Sequence, residues 1–210
     1  STGVKRFILA LGYKGDKIKE YFHSNTDLEY QENNKVWNYN HIEEGWEILF
    51  VNTGVDTLKG GRIKRVEEYI QGSTFHLTYG DGISDVNIDK LMKFHKSHNS
   101  IGTVTAVRPP SRFGELNIDN ENNVIALQEK PQMGQGVING GFFVFDKRLF
   151  SYLNSASSCD FELGPLQKVA KDEQLKAFQH SGFWQCMDNV RERDYLNELI
   201  NENSAPWIAW

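Results

Sequence analysis

The sequence predicts an α/β fold in which a mixed, mostly parallel β-sheet is flanked by helices. Two patterns carry that prediction: strand-like and helix-like segments alternate along most of the chain, and one hairpin with a polar turn interrupts them. The size agrees, because 210 residues, 39% of them hydrophobic, can build one domain with a buried core. The expected organisation is a single domain over 1–210 with a hairpin insertion at about 109–140.

Lys5 to Leu11 is a continuous apolar run closed by Gly12, as in a strand buried on both faces. Asp16 then opens a segment to Phe22 with apolar residues at helical spacing and an acid that can cap the first turn. Ile48 to Asn52 reads as a strand, and Gly61 to Ile70 as a helix with Ile63, Val66 and Ile70 in step. Thr74 to Tyr79 is a strand that runs into Gly80-Asp81-Gly82, and Asp89 to His98 is an amphipathic helix. Thr103 to Arg108 is β-branched and strand-like. Glu115 to Ile118 and Val124 to Gln128 flank the polar run Asp119 to Asn123, a hairpin pattern. Gly141 to Phe145 reads as a strand and Lys147 to Leu153 as a helix. Glu162 to Lys171 and Arg191 to Asn201 read as helices, with strands at Leu175 to Gln179 and Phe183 to Met187 between them.

A net charge of −5 excludes the broad basic surface that nucleic-acid binding needs, and no apolar run reaches the ~20 residues that cross a bilayer. Cys159 and Cys186 lack CxxC spacing, so neither a structural zinc site nor a disulfide framework is expected, and reduced thiols in the cytoplasm are. His95 and His98, three apart on a helix, read as solvated or helix-ending rather than as metal ligands.

Ligands of open α/β sheets sit beyond the carboxyl ends of strands. Asp81 stands at such an end between glycines, a place for a Mg²⁺-binding carboxylate or for a loop cap. Asp188 follows Phe183 to Met187 in the same way, and it could bracket one metal with Asp81 or cap the next helix. Gly60-Gly61-Arg62 opens a helix and could admit an anion, or be a glycine turn with a solvated arginine. Neither GxGxxG nor GxxxxGK[ST] occurs.

Taken in order, eight short motifs resemble the sugar-phosphate nucleotidyltransferases over essentially the whole chain. They are Gly12-Tyr13-Lys14-Gly15, Thr53-Gly54 with Thr57, Gly60-Gly61-Arg62 and Tyr79-Gly80-Asp81-Gly82. Arg112-Phe113-Gly114, Glu129-Lys130-Pro131, Asn139-Gly140-Gly141-Phe142-Phe143 and Gly182-Phe183-Trp184 with Met187-Asp188 complete the series. Within the family the likeness is to the branch that uses CTP and glucose 1-phosphate, down to the ending Ala205-Pro206-Trp207 with Trp210. The resemblance implies a Rossmann-like fold of the nucleotide-diphospho-sugar transferase type, with 109–140 as a sugar-binding insertion. It implies joining CTP and α-D-glucose 1-phosphate into CDP-glucose and pyrophosphate, with Mg²⁺ held by Asp81 and Asp188. Gly12, Thr57, Gly60, Gly61 and Arg62 match the nucleotide-contacting positions. Glu129, Lys130, Asn139, Gly140 and Trp184 match substrate-binding positions, and Lys130 counts with Asp81 and Asp188 among the catalytic ones. An assembly of several copies is also implied, with the C-terminal tryptophans as contact residues.

The departures set further expectations. The family opens with a strand and a GGxGTR-type loop, whereas here Lys5 to Leu11 aligns with its second strand and nothing comparable precedes it. A chain truncated in this way is expected to make little CDP-glucose alone, or to serve as a non-catalytic sugar-phosphate- or nucleotide-binding or assembly module. Gly164 stands where that branch usually has Glu, and Asn189 where it has Thr.

Overall fold

In the computed structural model, residues 3–24, 29–33, 36–41, 45–109, 115–128 and 136–208 are described. In chain order the elements are β1 (Arg6–Leu11), α1 (Gly15–Ser24), β2 (Glu29–Asn33), β3 (Val36–His41), β4 (Trp46–Asn52), α2 (Lys59–Arg65), β5 (Thr74–Thr78) and β6 (Gly82–Ser84). They continue with α3 (Ile88–Lys96), β7 (Gly102–Val107), β8 (Glu115–Ile118), β9 (Val124–Gln128), β10 (Ile138–Asp146), α4 (Gln167–Lys171), β11 (Leu175–His180), β12 (Trp184–Cys186) and α5 (Val190–Asn201). The chain divides into two compact units. One is Ser1–Phe75 with Ser100–Gly102 and Phe145–Leu175, and the other is His76–Asn99 with Thr103–Val144 and Lys176–Trp210. Among the described residues, no helix is long and apolar enough to cross a membrane.

The first unit holds a sheet ordered β1-β4-β3-β2. β1 pairs in parallel with β4, and β3 pairs antiparallel with both β4 and β2. The apolar run of β1 is used on both faces, as its composition predicts. Phe7, Leu9 and Leu11 join Ile48 and Phe50 against Phe22 of α1, while Ile8 joins Leu49 and Val51 against Val66, Tyr69 and Ile70. The β2–β3 hairpin has no counterpart in the sequence reading, because its segments EYQEN and VWNYNH are too polar to stand out. Asp16 lies inside the first turn of α1 and pairs with Lys19 at 2.7 Å.

Two of the predicted helices are wholly or partly of other than α form. Lys147–Tyr152 is 3₁₀, started by Asp146, whose carboxylate accepts the Arg148 N–H. Glu162–Leu166 is a π-turn that runs into α4. Pro165 has no N–H to give the usual ladder, and the Leu166 N–H reaches back five residues to the Phe161 carbonyl at 2.9 Å. Phe145, Leu149, Phe161 and Val169 are fully buried in this unit, and Phe75 stacks on Phe150 at 5.5 Å.

A second sheet, ordered β11-β7-β10-β5, has most of its residues in the second unit. Its inner strands carry the buried runs, GTVTAV in β7 and GGFFVF in β10, and the outer strands are half-exposed. β8 and β9 form the antiparallel hairpin at the predicted residues. Asp119 builds its turn by accepting the N–H groups of Glu121 and Asn123, each at 2.9 Å. α3 is capped by Asn87, whose side chain accepts the Lys90 N–H. Of the two expected forms His95 takes the helix-ending one: it lies buried in the last turn of α3, and its ring and that of His98 share the Thr103 hydroxyl at 2.9 Å each. Trp207 packs on Phe183 at 5.2 Å, and Trp210 lies outside the described residues.

Candidate functional site

The candidate residues fall into two groups, one in each unit. In the first, the chain turns sharply after β1, with Lys14 at φ 55° and the Gly15 N–H returned to the Gly12 carbonyl at 2.9 Å. The Arg62 guanidinium lies against Gly12 so closely that a Cβ there would collide with it. It donates to the Leu11 carbonyl (3.0 Å), the Thr53 hydroxyl (2.8 Å) and the Val55 carbonyl (3.0 Å). Burial, helped by nearby Arg65, lowers its pKa below the ordinary arginine value. Arg62 is therefore not the solvated side chain of the bland reading; it clamps the ends of β1 and β4. Arg65 does the same next door, holding the Thr53 carbonyl and the Thr57 hydroxyl at 2.7 Å each and the Ser155 carbonyl at 2.8 Å.

Gly60 and Gly61 are buried where α2 meets the 156–160 segment. A Cβ on Gly60 would stand 2.7 Å from Cys159 Sγ, and one on Gly61 2.5 Å from the Ala156 carbonyl oxygen. The Gly61 N–H is given to the Cys159 carbonyl at 3.1 Å and the Leu58 N–H to the Ser157 carbonyl at 2.8 Å. These glycines thus permit close backbone packing.

In the second unit, β5 ends at Thr78, and Asp81 leads into β6. β6 pairs antiparallel with β12, Gly82 opposite Cys186 and Ser84 opposite Trp184. Because β6 starts at Gly82 and β12 stops at Cys186, Asp81 and Met187-Asp188 come to the same end of the ladder. The Met187 N–H donates to the Asp81 carbonyl at 2.8 Å. Both aspartates are exposed. The two segments meet through an antiparallel pair of three-residue strands, of which β6 was too short to recognise in the sequence.

Asp188 is not the cap of α5. Asn189 is, its Oδ1 accepting the Glu192 N–H at 3.1 Å. The Asp188 N–H goes instead to Glu192 Oε2 at 2.7 Å. Ligand atoms of Cys186, Asp188 and Glu192 all lie within 4.8 Å of one another. The Cys186 thiol is pushed up to about 11, first by burial and then by the Asp188 and Glu192 carboxylates, so it is a neutral donor at pH 7.

Around this end stand the other substrate candidates. The Trp184 indole N–H donates to the Gly140 carbonyl at 2.8 Å, which fixes the ring. Gly140 is hemmed in by Val107 Cγ1 at 2.7 Å and the Thr105 carbonyl at 3.1 Å from a Cβ position. Asn139 Oδ1 accepts the Gly141 N–H at 2.9 Å, and its amide reaches the Tyr79 hydroxyl at 3.5 Å. Gly141, at φ 77°, lets the chain pass the Tyr79 ring. Glu129 and Lys130, like Arg112-Phe113-Gly114, lie outside the described residues. Sequence reasoning gave Arg65, Tyr79, Cys186 and Glu192 no place in the site. For Glu192 a signal was present, since Asn189-x-x-Glu192 has capping-box spacing.

Two exposed aspartates come to one ladder end, and hard carboxylate oxygens of this kind would suit a small divalent cation that keeps some of its waters. Comparison with known proteins places the chain in a family. The nucleotidyl transferase family model matches residues 19–191. Glucose-1-phosphate cytidylyltransferase of Salmonella typhimurium is 39% identical, covering 99% of this chain and 82% of that protein. A probable glucose-1-phosphate cytidylyltransferase of Bacillus subtilis is 38% identical, covering 99% and 83%. Among solved structures, HddC of Yersinia pseudotuberculosis complexed with GMP-PN superposes with a TM-score of 0.66 at 24% identity, over 95% of this chain and 80% of that one. The inositol-1-phosphate CTP transferase of T. maritima gives 0.61 at 18% identity, over 99% and 78%; these two likenesses are of fold.

Proposed function

Since the chain belongs to the nucleotidyl transferase family, we propose that it acts on CTP and α-D-glucose 1-phosphate, yielding CDP-glucose and pyrophosphate with Mg²⁺ as cofactor. The observation that carries the reading is the convergence of Asp81 and Asp188 at one end of the β6–β12 ladder, tied by the 2.8 Å Met187–Asp81 bond. In the reaction, an oxygen of the sugar phosphate attacks the α-phosphorus of CTP. A new P–O bond forms there, the bond to the β-phosphate oxygen breaks, and pyrophosphate departs. Such a transfer depends on positioning and on neutralising phosphate charge. Mg²⁺, when bound by Asp81 and Asp188, supplies that neutralisation.

The chain's own residues supply the rest. Trp184, locked to Gly140, offers a rigid wall for the sugar, and Asn139, oriented by Gly141 and Tyr79, offers an amide to its hydroxyls. By the family resemblance, Glu129 and Lys130 hold the glucose hydroxyls and the phosphate. Gly12, Thr57, Gly60, Gly61 and Arg62 serve the nucleotide. Arg62 is already committed to Leu11, Thr53 and Val55, which supports a share for it in shaping the 11–15 and 53–57 turns.

The test is release of pyrophosphate from CTP and glucose 1-phosphate, with calorimetric titration of both ligands with and without Mg²⁺. Asp188→Asn and Asp81→Asn are each expected to lower turnover by about 10²-fold or more, on the scale of losing one group that stabilises transition-state charge. Mg²⁺-dependent binding without product would instead indicate a binding module. Failure to bind either ligand would overturn the reading.

A further inference from the structure

We propose that Glu192 is a positioning residue that sets the cation affinity of Asp188 by gripping its backbone; this rests on the metal reading of Asp188 above. In a common capping box the acid at the third helical position takes the N–H of the capping residue itself. Here Asn189 caps, and Glu192 Oε2 takes the N–H one residue earlier, that of Asp188, at 2.7 Å. The bond therefore lands on the residue that supplies a metal carboxylate. One residue back, the Met187 N–H is held by the Asp81 carbonyl at 2.8 Å. Successive peptide groups at 187 and 188 are thus tethered, one to Asp81 just before β6 and one to the first turn of α5. Cys186 Sγ, 3.9 Å from Glu192 Oε2, adds a donor to the same oxygen.

With its backbone pinned on two sides, Asp188 has its side chain as the remaining freedom, and a carboxylate so pre-placed loses less entropy when it takes a cation. Groups that orient a ligand from behind typically change metal affinity by about 10–100-fold when removed. Glu192 could also act through its charge alone, and the two modes predict opposite rankings. Glu192→Gln keeps an acceptor of the right reach and loses the charge. Glu192→Asp keeps the charge but is one methylene too short to reach the Asp188 N–H.

The experiment is Mn²⁺ titration of the whole chain, read as loss of the free-ion paramagnetic resonance signal, with Tm and circular dichroism recorded for each variant. Glu192→Ala and Glu192→Asp are expected to weaken Mn²⁺ binding about tenfold or more, and Glu192→Gln distinctly less. Asn189→Ala, which removes the cap and leaves the Asp188 bond, is expected to lower Tm with Mn²⁺ binding near the wild-type value. If Glu192→Asp binds as well as or better than Glu192→Gln, or if Asn189→Ala weakens binding as much as Glu192→Ala, the inference is overturned. Asp188→Asn separates the two levels: if it leaves Mn²⁺ binding unchanged, the metal reading falls and this inference with it. If it weakens binding while the Glu192 ranking is reversed, the inference falls alone.

Discussion

Replacing Gly12 by Ala tests whether the Arg62 clamp is as tight as its geometry. Gly12 is not in the left-handed region, so its backbone would accept a side chain; what bars a Cβ is the guanidinium lying against it. That group is the end of a flexible side chain and can swing away, but only by giving up its bonds to Leu11, Thr53 and Val55. Three partly exposed hydrogen bonds from a charged donor are worth about 2–3 kcal/mol together after exchange with water. Arg62→Ala should therefore cost about 2–3 kcal/mol. Gly12→Ala should cost about 2, the same bonds less a few tenths regained from a stiffer unfolded chain. The double variant should cost no more than Arg62→Ala alone, because the space that the new methyl needs has been vacated. At about 2–4 °C per kcal/mol for a chain of this size, Arg62→Ala lowers Tm by roughly 4–12 °C and Gly12→Ala by roughly 4–8 °C, and the pair lowers it no further than Arg62→Ala alone. Urea unfolding of the four proteins gives the cycle. Costs that add to within about 0.5 kcal/mol would refute the picture of one clamp lost in two ways.

Two further outcomes follow from the same contacts. Gly61→Ala puts a methyl against the Ala156 carbonyl, fixed backbone that cannot rotate aside, and should destabilise by about 1–3 kcal/mol in thermal unfolding, whereas Gly164→Ala, with nothing within 4 Å, should not. In chelator-treated protein, the Cys186 thiol, at about 11 against an ordinary 9, gains its thiolate only as pH climbs through 11; alkylation at pH 8 should run about 100-fold slower than for a free thiol, and a rate midpoint near 9 would contradict its carboxylate surroundings.

How legible the molecule was depends on which force shapes each part. β1 and α1 were readable because an unbroken apolar run and a spaced apolar face each have a single solution, and the β8–β9 turn because Asp119 writes its own hydrogen bonds into the sequence. The β2–β3 hairpin was not, since β3 owes its place to pairing with β4, and β2 to pairing with β3, rather than to composition. At the site, Asp81 and Asp188 stood out through their neighbours. The ladder that unites them stayed hidden, because three residues carry no periodicity and their partners are far away in the chain. Arg62 and Glu192 show the same limit: the side chains could be noticed, but what they hold is decided by folding.

The β6–β12 ladder has only three paired positions, and it closes a loop of roughly a hundred residues, from Ser84 to Trp184. β5 and β11, just before β6 and β12 in the chain, lie in one sheet and already hold that loop closed, so what marks the seam as an early-opening part of the molecule is its short ladder, which gives little cohesion. Warmth would thus unfasten the two acids while both large sheets persist, and catalytic competence would fade ahead of melting. An ion shared by both acids would act as a clasp on the seam, so that the cofactor would guard the very geometry that recruits it.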